Sequence, residues 1–125
     1  MKKIISKNAP KAIGPYVHAN VVGNLVFTSG QLGINLDTGK LEEDLEKQIH
    51  LALSHLSEVL KTAGSDMNHV VKTTIYLSDM DNFQTLNKIY AEYFNENLPA
   101  RTAYEVAKLP MNAKVEIEAI GEIVD

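Results

Sequence analysis

Six residues of this chain are of types that could bind or turn over a small polar molecule at the positions they hold. Arg101 follows Pro99 and Ala100 at the entry to an extended segment, and its guanidinium offers a rigid fork of donors suited to a carboxylate. The competing role is an ion pair to a nearby acid, the commoner fate of an arginine in a small domain. Glu116 lies between Val115 and Ile117; if an interface or a neighbouring strand covers its face, loss of water raises its pKa and suits it to general acid–base work. The alternative is a solvated face shared with Lys114 and Glu118. Asn87 stands four residues after Phe83 and three before Tyr90, which puts an amide on the inward face of a helix. There it either serves a site or packs against a backbone carbonyl. Tyr16, after Pro15, could set a hydroxyl at a pocket edge, and Ser29 with Gly30 at a strand end could offer a hydroxyl and an exposed N–H. A packing anchor and a plain turn are the ordinary roles of such residues.

What the chain lacks narrows the chemistry further. It has no cysteine, so disulfides, thiolate metal sites and cysteine nucleophiles are excluded together, in keeping with a reducing, cytoplasmic setting. Phosphate-binding loops, the metalloprotease helix signature, calcium loops and the nucleophile elbow are absent, and the glycines of SGQLG (29–33) do not make a dinucleotide fingerprint. His50 and His55 lie five apart on one helix, the wrong spacing for two ligands on one face, so no metal is expected. The formal charge of −4, with lysines scattered singly apart from Lys2 and Lys3, gives no footprint for a phosphate backbone, and nucleic acid is not expected as a partner. No apolar stretch approaches the roughly 18–20 residues of a membrane span, and Ile4 and Ile5 alone do not make an export signal.

The elements that must position these residues follow from periodicity. The 125 residues suffice for one core and not two, so 1–125 reads as a single domain. Leu25 to Ser29 is a short buried strand ended by Gly30, with turn chemistry at Asn35 to Gly39. From Leu45 the apolar positions Ile49, Ala52, Leu53, Leu56, Val59, Leu60 and Ala63 share one helical face, and Gly64 supplies the stop. Val70 to Leu77 reads as a strand; Asp81 and Gln84 suggest a capping box opening a second helix that ends before Pro99. Thr102 to Val106 and Val115 to Val124 finish as strands. A simple hairpin around Pro110 and Met111 would set Glu105 opposite Glu116, a like-charge pair, which favours another strand between them. The pattern is an α+β fold: a mixed sheet with both helices on one face.

The stretches NAPKAIGPY (8–16), FTSGQLGIN (27–35), VVKTTIYLSDMDNFQTLNKIY (70–90) and PARTAYEVAKLPMNAKVEIEAIG (99–121) occur in order and together closely resemble the RidA (YjgF) family from Asn8 to Ile123. The resemblance implies a chorismate-mutase-like fold, a six-stranded mixed sheet backed by two helices, assembled as a homotrimer with pockets at subunit interfaces. It also implies a cofactor-free 2-iminobutanoate/2-iminopropanoate deaminase, a hydrolase acting on C=N bonds. Such enzymes convert reactive enamine/imine products of pyridoxal-phosphate enzymes, such as 2-aminoacrylate, to 2-oxo acids and ammonia. By position it carries over Glu116 and Arg101 as catalytic, with Arg101, Tyr16, Ser29, Gly30, Asn87 and the backbone of Ala103 binding substrate. Some relatives have cysteine where Ala103 stands, and the loop around Glu96 to Leu98 is shorter than in some, which bears on the pocket rim.

That chemistry agrees with the residues read singly. A 2-imino acid brings a carboxylate for Arg101 and an electrophilic C=N carbon that water can attack without an enzyme nucleophile. Glu116 would orient or deprotonate that water, with general acid–base help of roughly 10² to 10⁴. A non-catalytic binder or regulator using the same arginine for a 2-oxo acid is the second reading, since fold does not fix function; retention of both Arg101 and Glu116 favours the enzyme. Endoribonuclease activity is the third, and the acidic charge without a basic, aromatic stripe argues against it.

Overall fold

In the computed structural model, which describes residues 1–124, six strands and two helices follow one another in the expected alternation. In chain order these are β1 (Lys2–Ile4), β2 (Ala19–Val22), β3 (Leu25–Thr28), α1 (Leu45–Ala63), β4 (Val70–Leu77), α2 (Phe83–Tyr93), β5 (Ala100–Glu105) and β6 (Val115–Glu122). The sheet runs β1-β2-β3-β6-β4-β5 in space. Among the described strands only β4 and β5 pair in parallel, and α2 is the crossover between them.

Helix α1 forms where the apolar face demanded it. Ile49, Ala52, Leu53, Leu56, Val59 and Leu60 are fully buried, and fully burying each of the larger side chains, Ala52 excepted, stabilises by roughly 1.5–3 kcal/mol. Asp44 accepts from the Lys47 N–H at 3.0 Å to cap its start, and Gly64 ends it at φ 93°, donating to Leu60 and Lys61. The start of α2 differs from the expected capping box. Asp79, not Asp81, supplies the side-chain acceptor, bonding the Asp81 N–H at 2.8 Å to open a 3₁₀ turn over Met80–Asn82 that runs straight into the helix. The Asp81 N–H, which a box would have satisfied through Gln84, is thereby already taken.

One core joins α1, α2 and a single face of the sheet, through Ile75, Leu77, Val115, Ile117 and Ala119, so both helices lie on the same side. The last two strands are not a hairpin. Strand β4 lies between β5 and β6, and the connection turns through Pro110–Asn112 with Met111 and Asn112 in left-handed conformations. Glu116 accordingly pairs with Tyr76 and Glu105 with Leu77, which removes the like-charge contact.

The loop after β3 is held onto α1 by buried polar groups. Gln48 donates to the Glu42 carbonyl at 2.7 Å and accepts from the Lys114 N–H at 2.9 Å, and His55 Nε2 donates to the Ile34 carbonyl at 2.7 Å. The two helix histidines take different partners, and His50 pairs its ring with the Tyr93 hydroxyl at 2.8 Å. No helix among the described residues is long and apolar enough to cross a membrane.

Candidate active site

Strand parity decides which site residues can meet. Arg101 on β5 pairs with Thr73, and Thr73 pairs with Ala119, so all three point to one face. That face is the helical one, because the buried Thr73 hydroxyl bonds the Tyr90 hydroxyl of α2 at 2.8 Å. Glu116 is an odd number of residues from Ala119 on the same strand; it pairs with Tyr76, which pairs with Tyr104, on the face that no helix covers. Within one chain, therefore, Arg101 and Glu116 look away from each other through the sheet.

Against Glu116 the structure brings Gly30, with Ser29 beside it in the chain and Tyr16 sharing a hollow with each of the two. From Phe27↔Ile120 to Gln31↔Ile117, the β3 side contains one residue more than the β6 side, an irregularity of the β-bulge kind that re-aims the chain at Ser29 and Gly30. The bulge lays Gly30 under the Glu116 carboxyl so closely that a Cβ there would stand 2.6 Å from Glu116 Oε2. Among the described residues the Gly30 N–H makes no hydrogen bond. Ser29 gives its hydroxyl to the Val17 carbonyl at 2.6 Å and so braces the neighbouring loop. Tyr16, 46% exposed, accepts from the Ile13 N–H at 3.2 Å, which fixes its own turn while leaving the ring accessible. Tyr16 and Ser29 line a hollow of ≈ 420 Å³ with Lys3 and Asn20; Asn20 Oδ1 is buried there without a partner.

The Glu116 carboxyl is half-buried, and burial pushes its pKa above the usual carboxylate range, with the like charge of Glu118 adding to the rise. Tyr76 donates to Glu118 Oε1 at 2.9 Å. The solvated-face alternative therefore holds for the exposed Lys114 but not for Glu116.

The second group gathers on α2 and β5. Arg101 Nη1 donates to Asn87 Oδ1 at 2.8 Å, so the inward amide serves the guanidinium and not a backbone carbonyl. The guanidinium carbon lies 5.2 Å from the Phe83 ring centroid and 5.0 Å from that of Tyr90. Among the described residues the ion pair is His69–Asp66, and no carboxylate reaches Arg101. Arg101 as a whole is exposed. Ala103, two residues along β5 and partly buried against the core, completes this side.

Phe83, Tyr90 and Thr73 were not singled out as site residues by the sequence. The signal was present for two of them, since the spacing that turns Asn87 inward puts Phe83 and Tyr90 on the same stripe. Among the described residues no group of three or more His, Asp or Glu is placed to hold a metal ion.

Known proteins resemble this chain over nearly its whole length. The mouse 2-iminobutanoate/2-iminopropanoate deaminase is 48% identical over 97% of this chain and 91% of its own. The chloroplastic Reactive Intermediate Deaminase A of Arabidopsis thaliana is 48% identical over 98% of this chain, which spans 66% of that longer protein. Among solved structures, Escherichia coli TdcF with bound serine superimposes with a TM-score of 0.94 at 36% identity, covering 99% of this chain and 100% of the other. The family whose sequence model matches residues 6–123 is described as Endoribonuclease L-PSP. With the expected six-stranded mixed sheet and two helices in place, the chain belongs to that family, the RidA (YjgF) family its signature stretches resemble.

Proposed function

We propose that the protein is a 2-iminobutanoate/2-iminopropanoate deaminase. It hydrolyses 2-imino acids and their enamine forms, such as 2-aminoacrylate, to 2-oxo acids and ammonia, with each site assembled between two copies of a homotrimer. The observation that carries this reading is the division of labour across the sheet. A cation with no acid partner stands on one face, and a carboxyl with a raised pKa stands on the other. The uncovered face also exposes Phe27 at 42% and Tyr104 at 54%, apolar surface of the kind that association buries.

In the assembled site Arg101 takes the substrate carboxylate on its free N–H donors. Water adds to the C=N carbon while Glu116 accepts its proton and passes it to the nitrogen, giving a carbinolamine. Collapse of that intermediate moves the hydroxyl proton to the amino group; the C–N bond breaks, and ammonia leaves a 2-oxo acid. A carboxyl with a raised pKa suits both proton transfers. The Gly30 N–H is available to the oxygen or nitrogen of the intermediate. Relatives named as deaminases of 2-imino acids support the substrate class, and the relative that holds serine supports an amino-acid-sized pocket.

The family description also names an endoribonuclease. The uncovered face presents Glu116 and Glu118, and the chain carries a net charge of −4, which repels a phosphodiester backbone.

The test couples a pyridoxal-phosphate threonine dehydratase to this protein and follows 2-oxobutanoate release; faster release is expected, and an unchanged rate ends the deaminase reading. Sharing of the site is tested by mixing two inert variants, Arg101→Ala and Glu116→Gln, as co-assembled subunits. A site is whole where an intact Arg101 meets an intact Glu116, so an equal random mixture regains about one quarter of the wild-type sites. A mixture as inert as its parts means that both groups act from one chain.

A further inference from the structure

The proposed carboxylate-binding arginine is fixed without a counter-ion, and that is unusual for a guanidinium that must keep one orientation. Long arginine side chains are mobile, and proteins commonly hold them with an aspartate or glutamate. An acid here would neutralise part of the charge and compete with the substrate for the same donors. Around Arg101 the chain uses neutral groups: Asn87 Oδ1 at 2.8 Å and the rings of Phe83 and Tyr90 at 5.2 and 5.0 Å. These distances lie within the range over which a ring face attracts a cation.

Tyr90 is itself held firmly. It is 7% exposed, its hydroxyl is tied to the fully buried Thr73, and its ring packs on Phe94 with centroids 4.6 Å apart. Phe83 stands at the first turn of α2, partly exposed, seven residues earlier on the same stripe.

We infer that Phe83 and Tyr90 are positioning residues for substrate binding: their ring faces hold the Arg101 guanidinium in place while leaving its charge free for the substrate carboxylate. This rests on the proposed role of Arg101. The ring, not the hydroxyl, is the working part of Tyr90, because the guanidinium meets the face and the hydroxyl is already committed to Thr73.

The experiment compares Phe83→Leu, Tyr90→Leu, Tyr90→Phe and Arg101→Ala as purified assembled proteins. It reads the KM and kcat for the imine, with calorimetric titration of pyruvate as a product-like carboxylate. Each leucine variant is expected to raise KM and weaken pyruvate binding about 2- to 30-fold, the scale of one cation–ring contact, with kcat changed less than about threefold. Tyr90→Phe is expected to recover most of what Tyr90→Leu loses. Loss of folded protein would instead lower apparent kcat and leave the pyruvate Kd unchanged. If Tyr90→Leu does not fold, Phe83→Leu decides, since Phe83 sits at the margin of the core. Wild-type pyruvate affinity in Phe83→Leu, with binding abolished by Arg101→Ala, overturns this inference and leaves the deaminase reading standing. Unchanged pyruvate affinity in Arg101→Ala overturns the role of Arg101 and this inference with it.

Discussion

Replacing Gly30 by alanine adds a single carbon, and the atoms nearest to it all belong to the Glu116 side chain. The new Cβ would lie 2.6 Å from Glu116 Oε2, 2.7 Å from Cδ and 2.8 Å from Cγ, where ordinary contacts begin at 3.4 Å. Three consecutive atoms are overlapped, so turning the carboxyl about its last bond does not relieve the clash. The whole end of Glu116 must swing by about 0.8 Å, taking the ordinary contact as the end point. The fold should survive, because the obstacle is the end of a flexible side chain, not backbone. A misplacement of about 1 Å costs on the order of 10² in rate, or about 2.7 kcal/mol of transition-state stabilisation. Gly30→Ala is therefore expected to lower kcat about 10²-fold in the dehydratase-coupled assay, with pyruvate affinity and melting temperature close to wild type. Pairing it with Glu116→Asp, one methylene shorter, should relieve the overlap and restore part of the rate. A Gly30→Ala protein with full kcat would refute the close packing of this carboxyl against the backbone and its role as the proton carrier.

Further expectations follow from the same geometry. Arg101→Lys keeps the charge but loses the planar fork that reaches Asn87 and a carboxylate together, so KM should rise about 10- to 10²-fold; calorimetry with pyruvate checks it. The proposed proton transfer needs Glu116 ionised in the free enzyme, and burial, then Glu118, hold its pKa up. The rate should therefore fall on acidification at a pH above the ordinary carboxylate range, and Glu118→Gln should move that limb of the kcat/KM profile to lower pH; a stationary limb rules out the Glu118 contribution. Burial lowers the pKa of His55 below its ordinary 6.5, against the opposing pull of the Ile34 carbonyl and Glu58. As pH falls the unfolded chain takes up this proton first, so the His55 contribution is full above about 6.5 and is lost as pH drops through the folded value. Denaturant unfolding at a series of pH values should show this slope in wild type and a shallower one in His55→Asn; equal slopes count against it.

Legibility in the sequence tracked how local the deciding forces were. Helix α1 was readable because one apolar stripe from Leu45 and the stop glycine Gly64 agree, whereas its Asp44 cap emerged only from the structure. The separation of β5 from β6 was readable from a charge clash alone, and β4 fills the gap. Strands β1 and β2 were not located from pattern, since three and four residues carry too little period-two signal. The α2 cap was misplaced because Asp79 and Asp81 both offer acceptors, and only the path of the chain chooses between them. Within the site, residue types and spacing singled out Arg101, Glu116 and Asn87, but not that Asn87 holds Arg101, which depends on β5 returning beside β4. The opposition of Arg101 and Glu116 could not be read from periodicity either, because facing is set by a register between strands distant in sequence.

The two halves of the site also differ in how far along the chain their parts must travel to meet. Arg101 and Asn87 are 14 residues apart and belong to a single strand-helix-strand unit. The Glu116 half forms only when β6 slides between β3 and β4, a step whose Thr28–Ala119 contact joins residues 91 apart. Closing the longer loop costs about 1.7 kcal/mol more in chain entropy than closing the shorter one, and distant contacts of this kind form slowly. The half that carries Arg101 can thus take shape early, around its own helix, while the half that carries Glu116 waits for the sheet to be closed through its middle. Pulse-labelled hydrogen exchange should accordingly protect β4, α2 and β5 ahead of β3 and β6.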